Sequence, residues 1–280
     1  MVAVKWLGEE DCHHEAVVGG KAAALSRLTR VHPVPHGFAV PALPATMPAL
    51  PAALPAAICD AYGRLAERCG TAEPRVAVRS SAVDEDGAGA SFAGQHDTFL
   101  NIRGSEAVVE AVERCVRSAV SAEAIAYRRE RGLALDDVRI AVLVQQLVEA
   151  EVSAVVFSAN PITGSRDEVM INASWGLGES LVGGTVTPDM FVVSKQGLQL
   201  TMRELAPKQR MTVMTDSGTA EVDVPDELRD ACSLKDDQAR AMAELAVRLE
   251  DAVGHPVDVE CAIARGELFL LQCRPITTLG

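Results

Sequence analysis

Three short segments of this sequence carry side chains suited to phosphate chemistry. In the first, Gly19-Gly20-Lys21 leads into Ala22-Ala23-Ala24-Leu25-Ser26-Arg27-Leu28, a run with helical apolar spacing. A helix start offers unpaired N–H groups and a positive dipole end, and Lys21 adds a mobile point charge. The spacing is not that of a Walker A loop. Taken alone, the segment also reads as a glycine turn beside a surface lysine. In the second, Val78-Arg79-Ser80-Ser81 puts an arginine at the end of an apolar strand, where a guanidinium can grip a phosphate with two parallel hydrogen bonds. The segment Ser91-Phe92-Ala93-Gly94-Gln95-His96-Asp97-Thr98 has the small residues and donors of a lid over a triphosphate. A strand-end ion pair and a surface loop would use the same residues.

The third segment lies near the C-terminus. Val257, Val259, Cys261 and Ile263 alternate with Asp258, Glu260 and Ala262, and in the next strand Gln272 and Arg274 share a face because side chains repeat every two residues. A hard Mg²⁺ ion takes oxygen ligands, which one carboxylate, one amide oxygen and phosphate oxygens would supply. Glu260, Gln272 and Arg274 then make a metal-and-phosphate clamp; the alternative is a hairpin with a polar, solvent-facing side. Register decides between them. A three-residue turn, Arg265-Gly266-Glu267, pairs Ala264 with Leu268 and sets Glu260 across from Gln272 and Asp258 across from Arg274. A two-residue turn at Arg265-Gly266 pairs Ala264 with Glu267, so that Glu260 faces Leu271. The expectation is the three-residue turn. Finally, Gln145-Gln146-Leu147-Val148 ends an apolar strand whose extended backbone is suited to reading an adenine edge.

The elements that must position these residues alternate irregularly. Helices are expected at 22–28, at 56–69 ending at Gly70, from a Ser105 cap through Val120, and at 234–253 ending at Gly254. Strands are expected at 75–81, 98–102, 139–148, 152–157, 169–173, 256–264 and 268–274. The Pro/Ala-rich stretch from Pro41 to Pro55 reads as a linker or loop without regular structure. Parallel βαβ units do not recur, which suggests an α+β protein with mixed sheets. The 280 residues, 48% hydrophobic and 23% charged, suffice for a large core. No apolar run approaches the roughly 20 residues that span a bilayer, and no secretory signal opens the chain; a cytoplasmic protein is expected. A formal net charge of -13 disfavours nucleic acid and anionic membranes as partners. Seven cysteines without a Cys-x-x-Cys pair predict free thiols.

Taken together, VGGKAAALSRL, VAVRSSAVDEDGAGASFAGQHDTFLNIRG, VLVQQLV, NPITGSRDEVMINASWGLGESLVGGTVTPD and VDVECAIARGELFLLQCRPITTL resemble the N-terminal ATP-binding domain of the phosphoenolpyruvate synthase and pyruvate phosphate dikinase family, which includes rifampin phosphotransferase. The stretches cover nearly the whole chain in family order. The resemblance implies an ATP-grasp fold, a single nucleotide-binding domain of two α+β lobes (about 1–140 and 141–280) with ATP between them. It implies phosphate contacts from Lys21, Arg79 and Arg274, and a phosphate-covering loop containing Gly94 and Thr98. It further implies an adenine hinge at Gln145 and Leu147, Mg²⁺ held by Glu260 and Gln272, and a polar contact from Glu179.

The implied reaction moves the ATP β-phosphoryl group to a histidine, releasing AMP and phosphate. That histidine belongs to a swivelling domain with a Gly/Thr/Ser-rich motif, and none of the six histidines here has that context. The expected partners are therefore a phosphohistidine domain or subunit and an acceptor-substrate domain. The chain then reads as a separately encoded subunit or a fragment. The segment between Lys21 and Arg79 is shorter than is usual in the family. Two other readings remain open: a ligase acting through an acyl phosphate, and a regulatory nucleotide-binding subunit without turnover. The residues do not choose among pyruvate, an antibiotic hydroxyl or another final acceptor.

Overall fold

The computed structural model describes residues 3–83, 98–130 and 138–276. The chain divides into two compact units, one comprising residues 1–147 with 216–218 and the other 148–215 with 219–280.

In chain order the first unit contains β1 (Lys5–Trp6), α1 (Glu15–Leu28), β2 (Gly37–Pro44), α2 (Leu54–Cys69), β3 (Val76–Ala82), β4 (Thr98–Ile102), α3 (Ser105–Ser118), α4 (Ala122–Glu130) and β5 (Arg139–Gln146). Its five strands form one sheet in the order β1-β2-β5-β3-β4. All four neighbouring pairs are antiparallel. One face, with Phe38, Val40, Val76, Val78, Ile140, Val142 and Val144, packs on Ile58 and Leu65 of α2 and on Val108, Val112 and Val116 of α3. Burial of this branched aliphatic set drives the packing of that layer. Helix α1 packs against β2, β3 and β5.

Pro41–Pro55 departs from the expectation of an irregular stretch. Its first part is strand, because Pro41 falls where the β2–β5 register shifts between Val40 and Leu43, a site that needs no backbone donor. Its last part starts α2, with Pro55 in the first turn, where a missing N–H costs nothing. Ser105 is the first residue of α3, and Gly104 occupies the cap position.

The second unit contains β6 (Val152–Phe157), β7 (Glu168–Trp175), α5 (Glu179–Val182), β8 (Asp189–Ser194), β9 (Gln199–Glu204), β10 (Arg210–Met214), β11 (Thr219–Asp223), α6 (Asp226–Arg229), α7 (Asp236–Val253), β12 (Val257–Ala264) and β13 (Glu267–Pro275). Six strands form a sheet in the order β13-β12-β6-β7-β8-β9, and β10 and β11 make a separate hairpin. Every named pair is antiparallel. The sheets expected to be mixed are thus antiparallel throughout, within the α+β class read from the sequence. Helix α7 packs on β6, β7, β8 and β12, contributing Met242, Ala246 and Leu249 as buried residues.

A fully buried ion pair ties loops to this sheet. Lys208 Nζ donates to Asp189 Oδ1 at 2.6 Å. Ser233 donates to Asp189 Oδ2 through its N–H at 2.8 Å and its hydroxyl at 2.7 Å. Both Asp189 oxygens are thereby engaged by donors, as burial of a polar group requires. All seven cysteines are free, as expected. Among the described residues no helix is long and apolar enough to cross a membrane.

Candidate functional site

In the first unit, the sheet face under α1 collects several of the expected residues. Arg79 on β3 pairs with Thr98 on β4 and with Leu143 on β5. One step along the same face Ala77 pairs with Gln145, and Gln145 pairs with Gly37. Ser81, two residues beyond Arg79, points the same way, and its Oγ accepts the Ala22 N–H at 3.2 Å.

Lys21 is therefore placed against β3, by a route the sequence did not suggest. Helix α1 begins at Glu15, before the glycines, and Gly19 interrupts it with φ 74° and ψ 167°. The kink makes a new helix start, whose Ala22 donor Ser81 satisfies. A Cβ at Gly19 would lie 1.9 Å from the Ser81 carbonyl oxygen, so only glycine fits. Lys21 and Arg79 are both half-buried. Gly94 lies outside the described residues, as does the lid segment up to Asp97.

Gln145 is buried, and its amide donates to the Pro35 carbonyl at 3.4 Å. The neighbouring backbone is also engaged. Gln146 N–H donates to the His36 carbonyl and Leu147 N–H to the Arg75 carbonyl, both at 2.8 Å. These two donors of the expected adenine hinge are thus committed within the first unit.

In the second unit the β12–β13 hairpin settles the register question. The turn has two residues, with Ala264 opposite Glu267. Arg265 and Gly266 have φ of 52° and 78°, the signature of a type I′ turn. The expected three-residue turn is wrong, because the tight turn matches the twist of the strands. Yet Glu260 stands opposite Gln272 and Asp258 opposite Arg274. A β-bulge at Leu271, between the Glu260 and Cys261 levels, supplies the missing residue and restores the pairing. Glu260 and Gln272 therefore share a face, and their two oxygen donors fit a hard divalent cation completed by ligand oxygens.

Beside them Arg274 is anchored. Its Nε and Nη2 donate to Asp258 Oδ2 at 2.8 and 2.7 Å. Burial raises the Asp258 pKa, Arg274 counteracts this, and Glu260 adds to the rise. Glu179 is exposed in the first turn of α5 and accepts a hydrogen bond from Thr219 Oγ1 at 2.8 Å.

One residue on this face escaped the sequence reading. Asn172 on β7 lies in the cross-strand row Gln272–Glu260–Val155–Asn172–Met190. A polar side chain within the apolar run Val169–Ala173 was the available signal, but the face it takes follows only from register.

Residues 45–280 match the pyruvate phosphate dikinase AMP/ATP-binding domain family. The chain belongs to this family. A probable phosphoenolpyruvate synthase of Methanocaldococcus jannaschii is 45% identical over 224 residues, covering 80% of this chain and 19% of the relative. The phosphoenolpyruvate synthase of Pyrococcus furiosus is 42% identical over 231 residues, covering 79% and 28%. A probable phosphoenolpyruvate synthase of Archaeoglobus fulgidus is 35% identical over 316 residues, covering 99% and 42%. The chain thus spans between 19% and 42% of the length of these relatives. Among solved structures, the D-alanine–D-alanine ligase of Coxiella burnetii aligns over 98% of this chain and 50% of its own at 12% identity, with a TM-score of 0.39. That likeness is too distant to carry an argument. The family match includes Arg79, Glu260, Gln272 and Arg274 but starts beyond Lys21.

Proposed function

We propose that this chain binds ATP with Mg²⁺ and passes the ATP β-phosphoryl group to a histidine on a separate domain or subunit. The observation that carries this reading is the pairing of Glu260 with Gln272 beside an Arg274 anchored by Asp258, in a chain of the AMP/ATP-binding family. Glu260 and Gln272 would hold Mg²⁺, which when bound supplies positive charge against the phosphate oxygens. Arg274, oriented by Asp258, presents its guanidinium to a phosphate. Within the first unit, Lys21 and Arg79 are two cations suited to phosphate, and Thr98, level with Arg79 across the β3–β4 ladder, offers a hydroxyl. Such groups act by positioning and by stabilising charge that develops in transfer. The attacking imidazole bonds to the β-phosphorus as the bond to AMP breaks, and the γ-phosphoryl is lost to water as phosphate. No general base is needed on this chain, since a neutral imidazole is already a nucleophile. The relatives' names favour phosphoryl transfer over acyl-phosphate ligation. A cytoplasmic setting and a partner carrying the acceptor complete the reading.

Calorimetry with ATP tests it. The expected result is binding that requires Mg²⁺ and weakens in Glu260→Ala; no binding at millimolar ATP with Mg²⁺ present overturns it.

A further inference from the structure

The two faces of the six-stranded sheet are unequally covered. Val156, Val259, Ile171 and Val193 on one face are completely buried. On the other face one row remains open across the sheet. Glu260, Val155, Asn172 and Met190, level with one another on four successive strands, are each only half-buried. Most of the rows on either side are closed: Asp258, Met170 and Val192 on one flank, and Ala262, Ser153 and Ser174 on the other, are buried. The open row is therefore a shallow trough crossing the strands, with Glu260 and Gln272 at one end.

Asn172 lies two strands from Glu260. At strand spacings of 4.7–4.9 Å this places it about 10 Å away across the sheet, within the reach of the ribose and phosphate arm of one nucleotide. Asparagine is depleted in strands, and this one stands between Val155 and Met190 in the row. Its amide makes no hydrogen bond among the described residues. An amide both donates and accepts, which suits hydroxyl groups; a phosphate would use only the donor half.

We infer that Asn172 reads the ribose of the bound nucleotide, hydrogen-bonding its hydroxyls while the phosphates lie over Glu260 and Gln272. The inference rests on the ATP-binding reading above. Asn172 then sets selectivity for ribonucleotides over deoxynucleotides.

The test is calorimetry with ATP, 2′-deoxy-ATP and 3′-deoxy-ATP in the presence of Mg²⁺, on the whole chain and on variants whose thermal unfolding is recorded in parallel. The wild type should prefer ATP over at least one deoxy analogue by about 2- to 10-fold, the worth of one hydrogen bond. Asn172→Ala should bind ATP no better than that analogue. Asn172→Asp should retain the preference, because a carboxylate still accepts from hydroxyls, whereas it would repel a phosphate. An Ala variant that keeps the wild-type preference overturns the inference. So does an Ala variant weakened equally toward all three nucleotides, or an absence of preference in the wild type. A wild type that binds none of them sinks the nucleotide reading itself, a distinguishable result.

Discussion

Removing Arg274 carries a local cost that its partner defines. Arg274 neutralises Asp258, a carboxylate only 6% exposed, so removing it leaves a buried charge behind. Burial already raises the Asp258 pKa and Arg274 is what restrains it. In Arg274→Ala that pKa rises further. The stability lost relative to wild type should then be greatest at neutral pH and shrink as pH falls through the raised value and the carboxyl takes a proton. Arg79→Ala removes a half-buried cation on β3. Both variants should lose ATP affinity by roughly 1.5–3 kcal/mol, the worth of a charge-assisted hydrogen bond, read by calorimetry. Arg274→Ala should also lower the melting temperature at pH 7, and Asp258→Asn added to it should recover stability but not ATP affinity. Equal loss of stability in both single variants, with ATP affinity unchanged, would make the arginines structural. At this scale the opposition of Asp258 and Arg274 was expected from the sequence, though by way of a wider turn that the structure replaces with a bulge. Asn172 was not, because which strand lies beside β6 is a long-range fact that local spacing does not contain.

The elements show where local patterns mislead. The Glu260–Gln272 pairing was expected through a wider turn, and the protein reaches it with a tight turn plus a bulge at Leu271. One residue must be inserted somewhere in β13, and alternation alone does not say whether turn or strand absorbs it. Prolines 41 and 55 were read as breakers, yet one sits at a register shift and the other in the first turn of α2; both positions tolerate a missing donor. Helix α1 is the clearest case. Gly19-Gly20 looked like the helix start, whereas Gly19 is a kink inside a longer helix, locked against Ser81. Gly19→Ala should therefore do more than an ordinary helix substitution. The backbone strain at positive φ is about 1–3 kcal/mol, and the Cβ clash with the Ser81 backbone adds to it, pushing the Lys21 segment off β3. The expected outcome is a lowered melting temperature together with weakened ATP binding. Gly63→Ala in α2, where an added Cβ meets nothing within 4 Å, serves as the control. Equal behaviour of the two would show that the kink has no part in placing Lys21.

For the molecule as a whole, each unit carries its own set of candidate groups. The first holds Lys21 and Arg79 on or against one sheet, and the second holds Glu260, Gln272 and Arg274 on another. On the proposed reading these are binding and charge-stabilising groups, and the nucleophile is expected from elsewhere. His13, His14, His32, His36 and His255, the histidines among the described residues, have none of the Gly/Thr/Ser-rich context of a phosphoryl carrier. Nucleotide binding and turnover should then separate experimentally. Saturating ATP with Mg²⁺, at about a hundredfold over its dissociation constant, adds roughly 2.7 kcal/mol of stability, which for a chain of this size is a rise in melting temperature of about 5 °C. The chain alone should show that rise while producing almost no AMP. Adding a family protein that carries the histidine domain should release AMP and phosphate and leave an acid-labile phosphoryl group on that histidine. The identity of the nucleotide product separates the alternatives. AMP points to transfer of the β-phosphoryl group. ADP formed only when a carboxylic acid is present would replace the transfer reading with ligation. A thermal shift without either product, even with the partner supplied, would leave the chain as a nucleotide sensor.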